Sequence, residues 1–84
     1  MKAKMLFDYK AVANNLHDLR KSMDLSYMDL EKDFLRLYKY RISWQTFRRM
    51  EVEPNYCKGV RVYTYAALAD YYGTTVNDLL GGTA

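Results

Sequence analysis

Five short polar side chains, Asp8, Ser26, Ser43, Thr64 and Thr75, each stand just before apolar residues of helical spacing, and they divide the chain into five short helices. From Tyr9 to Met23, Val12, Ala13, Leu16, Leu19 and Met23 recur at that spacing behind Asp8. Asp24 and Leu25 break the pattern. Ser26-Tyr27-Met28-Asp29 then has the form of a capping box and opens a second helix, expected to run to about Tyr38 or Lys39. Ser43 is the predicted cap of a third helix, Trp44 to about Glu51, in which Phe47 and Met50 share one face. Trp44, Gln45, Arg48 and Arg49 are left largely to solvent, an outer face with no packing reason to exist.

Pro54 ends the third helix, and the stretch from Asn55 to Val62, with Gly59 inside it, reads as irregular or briefly extended. Thr64 precedes a fourth helix, Tyr65 to Tyr72, with Tyr65, Leu68, Ala69 and Tyr72 at core spacing and Gly73 as its stop. Thr75-Val76-Asn77-Asp78 repeats the capping-box form before Leu79, Leu80 and the Gly81-Gly82 stop. The expected fold class is all-α, one domain over residues 9–82, with residues 1–8 as an N-terminal extension.

Eighty-four residues leave room for one small core, which excludes the large α/β enzyme folds. Cys57 and His17 are the only residues of their kinds, so no disulfide framework and no structural zinc site are expected; no cofactor is implied. His17 reads as a surface residue of the first helix and Cys57 as a free thiol in the loop. No apolar run suits a membrane span or a signal peptide, and a cytoplasmic protein is expected. Asp29, Glu31 and Asp33 cluster, but without a histidine, phosphate loop or nucleophile motif beside them there is no catalytic proposal.

Charge is uneven along the chain. Residues 1–35 balance to zero, whereas residues 36–61 carry Arg36, Lys39, Arg41, Arg48, Arg49, Lys58 and Arg61 against Glu51 and Glu53. A phosphate-facing surface and a solvated charged face both account for that excess.

Leu16-x-x-Leu19-Arg20, Leu25-Ser26-Tyr27-x-x-Leu30, Ile42-Ser43-Trp44-Gln45-Thr46-Phe47-x-x-Met50-Glu51 and Leu68-Ala69-x-x-Tyr72-Gly73-x-Thr75-x-x-x-Leu79-Leu80 together resemble the Cro and phage-repressor-like (XRE-type) helix-turn-helix family. The resemblance covers about residues 9–82. It implies a five-helix, lambda-repressor-like DNA-binding domain whose third helix lies in the major groove. The chain departs from that pattern in two places. The helix 2 to helix 3 connection is lengthened, Ile42-Ser43 arriving some six residues late, and the link from Glu51 to Gly73 is about four residues longer than in the shortest members; loops tolerate such insertion.

By resemblance, Trp44, Gln45 and Arg48 match positions that face base edges; glutamine suits adenine and arginine suits guanine, while Trp44 is equally open to a packing role. Ser26 and Tyr27 match a phosphate-holding helix start, and Lys39, Arg41, Thr46, Arg49, Lys58 and Arg61 complete the phosphate candidates, each also explicable as an ordinary surface group. Arg20 and Glu51 match a structural ion pair of the family. Double-stranded DNA is the implied partner, with a homodimer through helices 4 and 5 at Tyr71, Val76, Leu79 and Leu80, or those four residues simply closing the core. The implied function is an operator-binding transcriptional regulator, repressor-like and nucleoid-associated. Nine tyrosines and Trp44 leave a second reading open, a protein-interaction module on the same fold, antirepressor or antitoxin-like, that grips a regulatory protein partner without binding DNA. An RNA-binding domain has the charge but no recognised motif.

Overall fold

The structure, a computed structural model, describes residues 8–81. The expected extension, apart from Asp8, and Gly82 of the expected stop lie outside those residues. The described chain is helical, with no strand within it: α1 (Tyr9–Ser22), α2 (Tyr27–Tyr38), α3 (Trp44–Val52), a 3-10 helix (Pro54–Gly59), α4 (Val62–Tyr72) and α5 (Val76–Leu79). None of these helices is long and apolar enough to cross a membrane.

Four helix starts are made by the side chains expected to make them. Asp8 accepts the Ala11 amide at 3.2 Å, Ser43 that of Thr46 at 3.4 Å and Thr75 that of Asp78 at 3.0 Å. Ser26 and Asp29 form the full reciprocal box, with both bonds 3.0 Å long. These bonds satisfy backbone donors that a helix leaves without internal partners. At the other end of α2, Lys39 takes the left-handed conformation at φ +56° and donates its amide to the Leu35 carbonyl. The five residues 39–43 then carry the chain to α3 as a non-helical bridge.

Two boundaries differ from the sequence reading. The stretch after Glu53 is a 3-10 helix rather than an irregular loop: Pro54 supplies a fixed φ at its first position and no amide that needs a partner. Cys57 is accordingly not a loop thiol but a core residue, 1% exposed, whose Sγ–H points to the Met50 carbonyl. α4 begins at Val62, with Arg61 in the cap position and no side-chain cap, rather than behind Thr64. Thr64 is buried within the helix, and its hydroxyl meets the Tyr40 hydroxyl at 3.0 Å instead of capping.

The core is one cluster drawn from every helix, including Val12 and Leu16 of α1, Phe34 of α2, Phe47 and Met50 of α3, Leu68 of α4 and Leu79 of α5. Phe34 lies at its centre, fully buried, with ring centroids of Tyr38, Phe47 and Tyr71 at 4.8, 5.3 and 5.8 Å. α1 packs on α3, the 3-10 helix and α5, while α2 packs on α3 and α4 on α5. α3 is therefore gripped on its inner side by α1 and α2, and its outer side is left uncovered.

Candidate nucleic-acid interface

The inner face of α3 is fixed before its outer face is considered. Phe47 and Met50 are buried, and Glu51, its side chain only 3% exposed, collects donors from two other helices. Arg20 Nε donates to Glu51 Oε2 at 2.8 Å and Nη2 to Oε1 at 3.1 Å. The Tyr27 hydroxyl and His17 Nδ1 each lie 3.1 Å from the same Oε1. Arg20 also donates to the Leu25 carbonyl at 2.7 Å and stacks 4.1 Å over the Tyr27 ring. Its bond to Glu51 raises the Arg20 pKa despite burial; burial first, then Glu51, raises that of Tyr27. The ion pair expected between Arg20 and Glu51 is thus present, within a larger cluster. His17 was not expected in it, although a position three residues before Arg20 on the same helix face was the available signal.

On the outer face Gln45 and Arg48 are exposed, and among the described residues no side-chain hydrogen bond or ion pair holds either of them. Trp44 is half-buried, and its amide donates to Glu31 Oε1 at 2.8 Å. Thr46 is drawn into the cap, its hydroxyl 3.1 Å from that of Ser43. Arg49 pairs with Glu53 at 3.4 Å and lies 4.3 Å over the Tyr56 ring.

The remaining basic candidates divide by what they touch. Arg41 pairs with Glu31 at 3.5 Å, and the Lys39 ammonium rests on the Arg36 carbonyl at 3.1 Å. Lys58 sits 5.9 Å over the Tyr9 ring. Arg61 is exposed with no carboxylate within 4 Å among the described residues, and it borders a cleft of about 170 Å³ shared with Tyr40, Thr46 and Tyr56. Bonds to Thr64 and Tyr63, with the Arg61 charge beside them, lower the Tyr40 pKa.

The start of α2 is differently employed. The Ser26 amide and hydroxyl both engage Asp29, which holds that carboxyl below its ordinary value. A carboxylate already stands where a helix N-terminus would meet a phosphate. The Tyr27 hydroxyl is likewise committed to Glu51. Ser26 and Tyr27 are held by structural bonds.

The clustered acids are separated by their partners: Asp29 caps α2, Glu31 serves Trp44 and Arg41, and Asp33 accepts from Tyr71 at 2.6 Å and Arg36 at 3.1 Å. Among the described residues no group of three or more histidine, cysteine, aspartate or glutamate side chains is placed to hold a metal ion. The tyrosines are largely internal fasteners. Tyr38 donates to Asp70 at 2.6 Å and Tyr65 to the Cys57 carbonyl at 2.7 Å, beside the Tyr27, Tyr40 and Tyr71 bonds already described. Leu79 is 1% exposed, so of the four residues read as a dimer surface it closes the core, while Tyr71, Val76 and Leu80 pack against that core half-buried.

Comparison with family models, with curated proteins and with solved structures returns no match.

Proposed function

We propose that this chain is a sequence-specific DNA-binding regulator of the phage-repressor-like type, with α2 and α3 as its helix-turn-helix and α3 in the major groove. The observation that carries this reading is the contrast between the two sides of α3. Its inner side is fixed by core packing and the Glu51 cluster, while Gln45 and Arg48 project outward with no internal bond. A helix with its side chains is about 10–12 Å across, and a major groove about 12 Å wide admits it. Rigid support with free hydrogen-bonding ends is what bidentate reading of adenine by Gln45 and of guanine by Arg48 requires.

In this reading Arg48 and Gln45 read bases, Trp44 lies at the groove edge, and Arg61 and Lys58 supply phosphate contacts, with Arg41, Arg49 and Lys39 exchanging their internal partners for phosphate. Ser26, Tyr27 and Thr46 act through bonds within the domain rather than by contacting DNA. A single domain of this size contacts few base pairs, so a homodimer on a near-palindromic operator gives useful affinity, with Val76 and Leu80 at the contact. Occupancy of the operator would then obstruct or recruit polymerase.

Selection from a pool of random duplex DNA tests the proposal. The wild type should enrich one sequence, and the Gln45→Ala, Arg48→Ala variant should bind without enriching it. Failure of the wild type to enrich any sequence overturns base reading.

A further inference from the structure

We propose that the pocket between the 3-10 helix, the start of α4 and the first turn of α1 is a binding site for a small aromatic carboxylate of one ring. Its volume is about 190 Å³. Cys57 and Tyr65, 1% and 5% exposed, form its floor. The half-buried Tyr9, Val60 and Leu80 and the exposed Val62 form its walls. Among the described residues none of α3 lines it, so the inference does not rest on DNA reading by that helix.

The floor asks nothing polar of an occupant. The Tyr65 hydroxyl donates to the Cys57 carbonyl at 2.7 Å, and the Cys57 thiol to the Met50 carbonyl at 3.3 Å. Burial pushes the pKa of both groups up, so both stay neutral at ordinary pH. The charge that lines the pocket is Lys58, exposed at its rim. Its ammonium stands 5.9 Å over the ring of Tyr9, one of the walls, and among the described residues no carboxylate lies within 4 Å of it.

Size and charge together select the occupant. An apolar cavity of about 150 Å³ holds benzene, so the volume of about 190 Å³ here admits one ring with a short polar head. The walls stabilise the ring by removing it from water, and the ammonium offers a carboxylate a charge-assisted bond. A helix, about 10–12 Å across, is too wide to enter. Inorganic phosphate would meet Lys58 but leave the apolar walls wet. Because Lys58 is also a phosphate candidate in the DNA reading, ligand binding is measured without DNA.

The test follows the backbone amide resonances of the full chain during titration with benzoate. Benzyl alcohol serves as the neutral counterpart, benzylamine as the cationic one and acetate as the head without the ring. Saturable binding of benzoate is expected, with shifts centred on Cys57, Val60, Val62, Tyr65 and Leu80, and each other probe should bind at least about threefold more weakly. Lys58→Gln should bring benzoate down to the level of benzyl alcohol. Val62→Asp, which sets a carboxylate at the rim, should abolish its binding, and Lys32→Gln on α2 should change nothing. All three positions are exposed, so the thermal midpoint should hold and separate lost binding from lost folding. No saturation by benzoate overturns the proposal, as does equally tight binding of benzyl alcohol, benzylamine or acetate. Benzoate binding that appears only in a Leu6→Ser, Phe7→Ser variant overturns it too, assigning the pocket to the chain's own N-terminal residues. A dimer in sedimentation that Val62→Asp dissociates would assign it to a second copy instead.

Discussion

Arg20 on α1 holds Glu51 on α3 through two charge-assisted bonds of 2.8 and 3.1 Å, with the arginine side chain 10% exposed and the glutamate 3%. The pair fixes the end of α3 to α1, and Tyr27 extends the same link to α2. Removing one member leaves the other buried and uncompensated, so Glu51→Ala should cost about 3 kcal/mol in urea denaturation. Replacing both members, Arg20→Met with Glu51→Leu, should recover part of that loss. A single substitution costing no more than an exposed ion pair would contradict the structural role.

Acid stability depends on Asp33. The Tyr71 hydroxyl, then Arg36, holds its carboxyl below the ordinary value of 3.8. A depressed folded pKa contributes stability that is complete above the unfolded value and is lost as pH falls through the folded one. Tyr71→Phe removes the larger cause, so it should cost about 1 kcal/mol at neutral pH, and the gap from wild type should close in acid below that range. A gap independent of pH in urea titrations would assign the effect to ring packing instead.

At the alkaline end the sign reverses in its pH window. Burial, then the bond to Asp70, pushes the Tyr38 phenol up to about 12 from 10.0. A raised folded pKa gives stability that is full below the unfolded value and is lost as pH rises through the folded one. Ultraviolet titration should therefore show a late phenol near that value, absent in Tyr38→Phe, and stability should begin to fall once pH passes 10.0.

Gly73 and Gly81 both have positive φ, at +72° and +73°, but only one is crowded. A Cβ at Gly81 would stand 2.8 Å from the Cβ of Ala11 on α1, whereas Gly73 opens to free space. Gly73→Ala should cost about 1 kcal/mol from backbone conformation alone. Gly81→Ala should lower the thermal midpoint further, and adding Ala11→Gly should restore part of the difference.

The legible part of this fold is what neighbouring residues decide. Asp8, Ser26, Ser43 and Thr75 bond amides three residues away, so their caps could be read directly. The start of α4 carries no such signal, because Arg61 makes no side-chain cap, and Thr64 offered a false one. Its hydroxyl is claimed by Tyr40, twenty-four residues away. Separation in sequence likewise hid His17 at Glu51, Glu31 at the Trp44 amide and the tyrosine bonds between α2 and α4. Those bonds changed the reading of the tyrosines, which serve more as internal ties than as a free aromatic surface. On α3, by contrast, Gln45 and Arg48 lie outward where helical spacing put them.

The most direct test of DNA reading by α3 is the salt dependence of affinity for the enriched duplex, measured for wild type and for Arg48→Ala. Wild-type affinity should fall steeply with salt, and Arg48→Ala should lose about 1–3 kcal/mol of preference for the enriched duplex over random DNA while keeping its binding to random DNA. No binding at about 50 mM salt, or equal preference in the two proteins, would contradict the proposal.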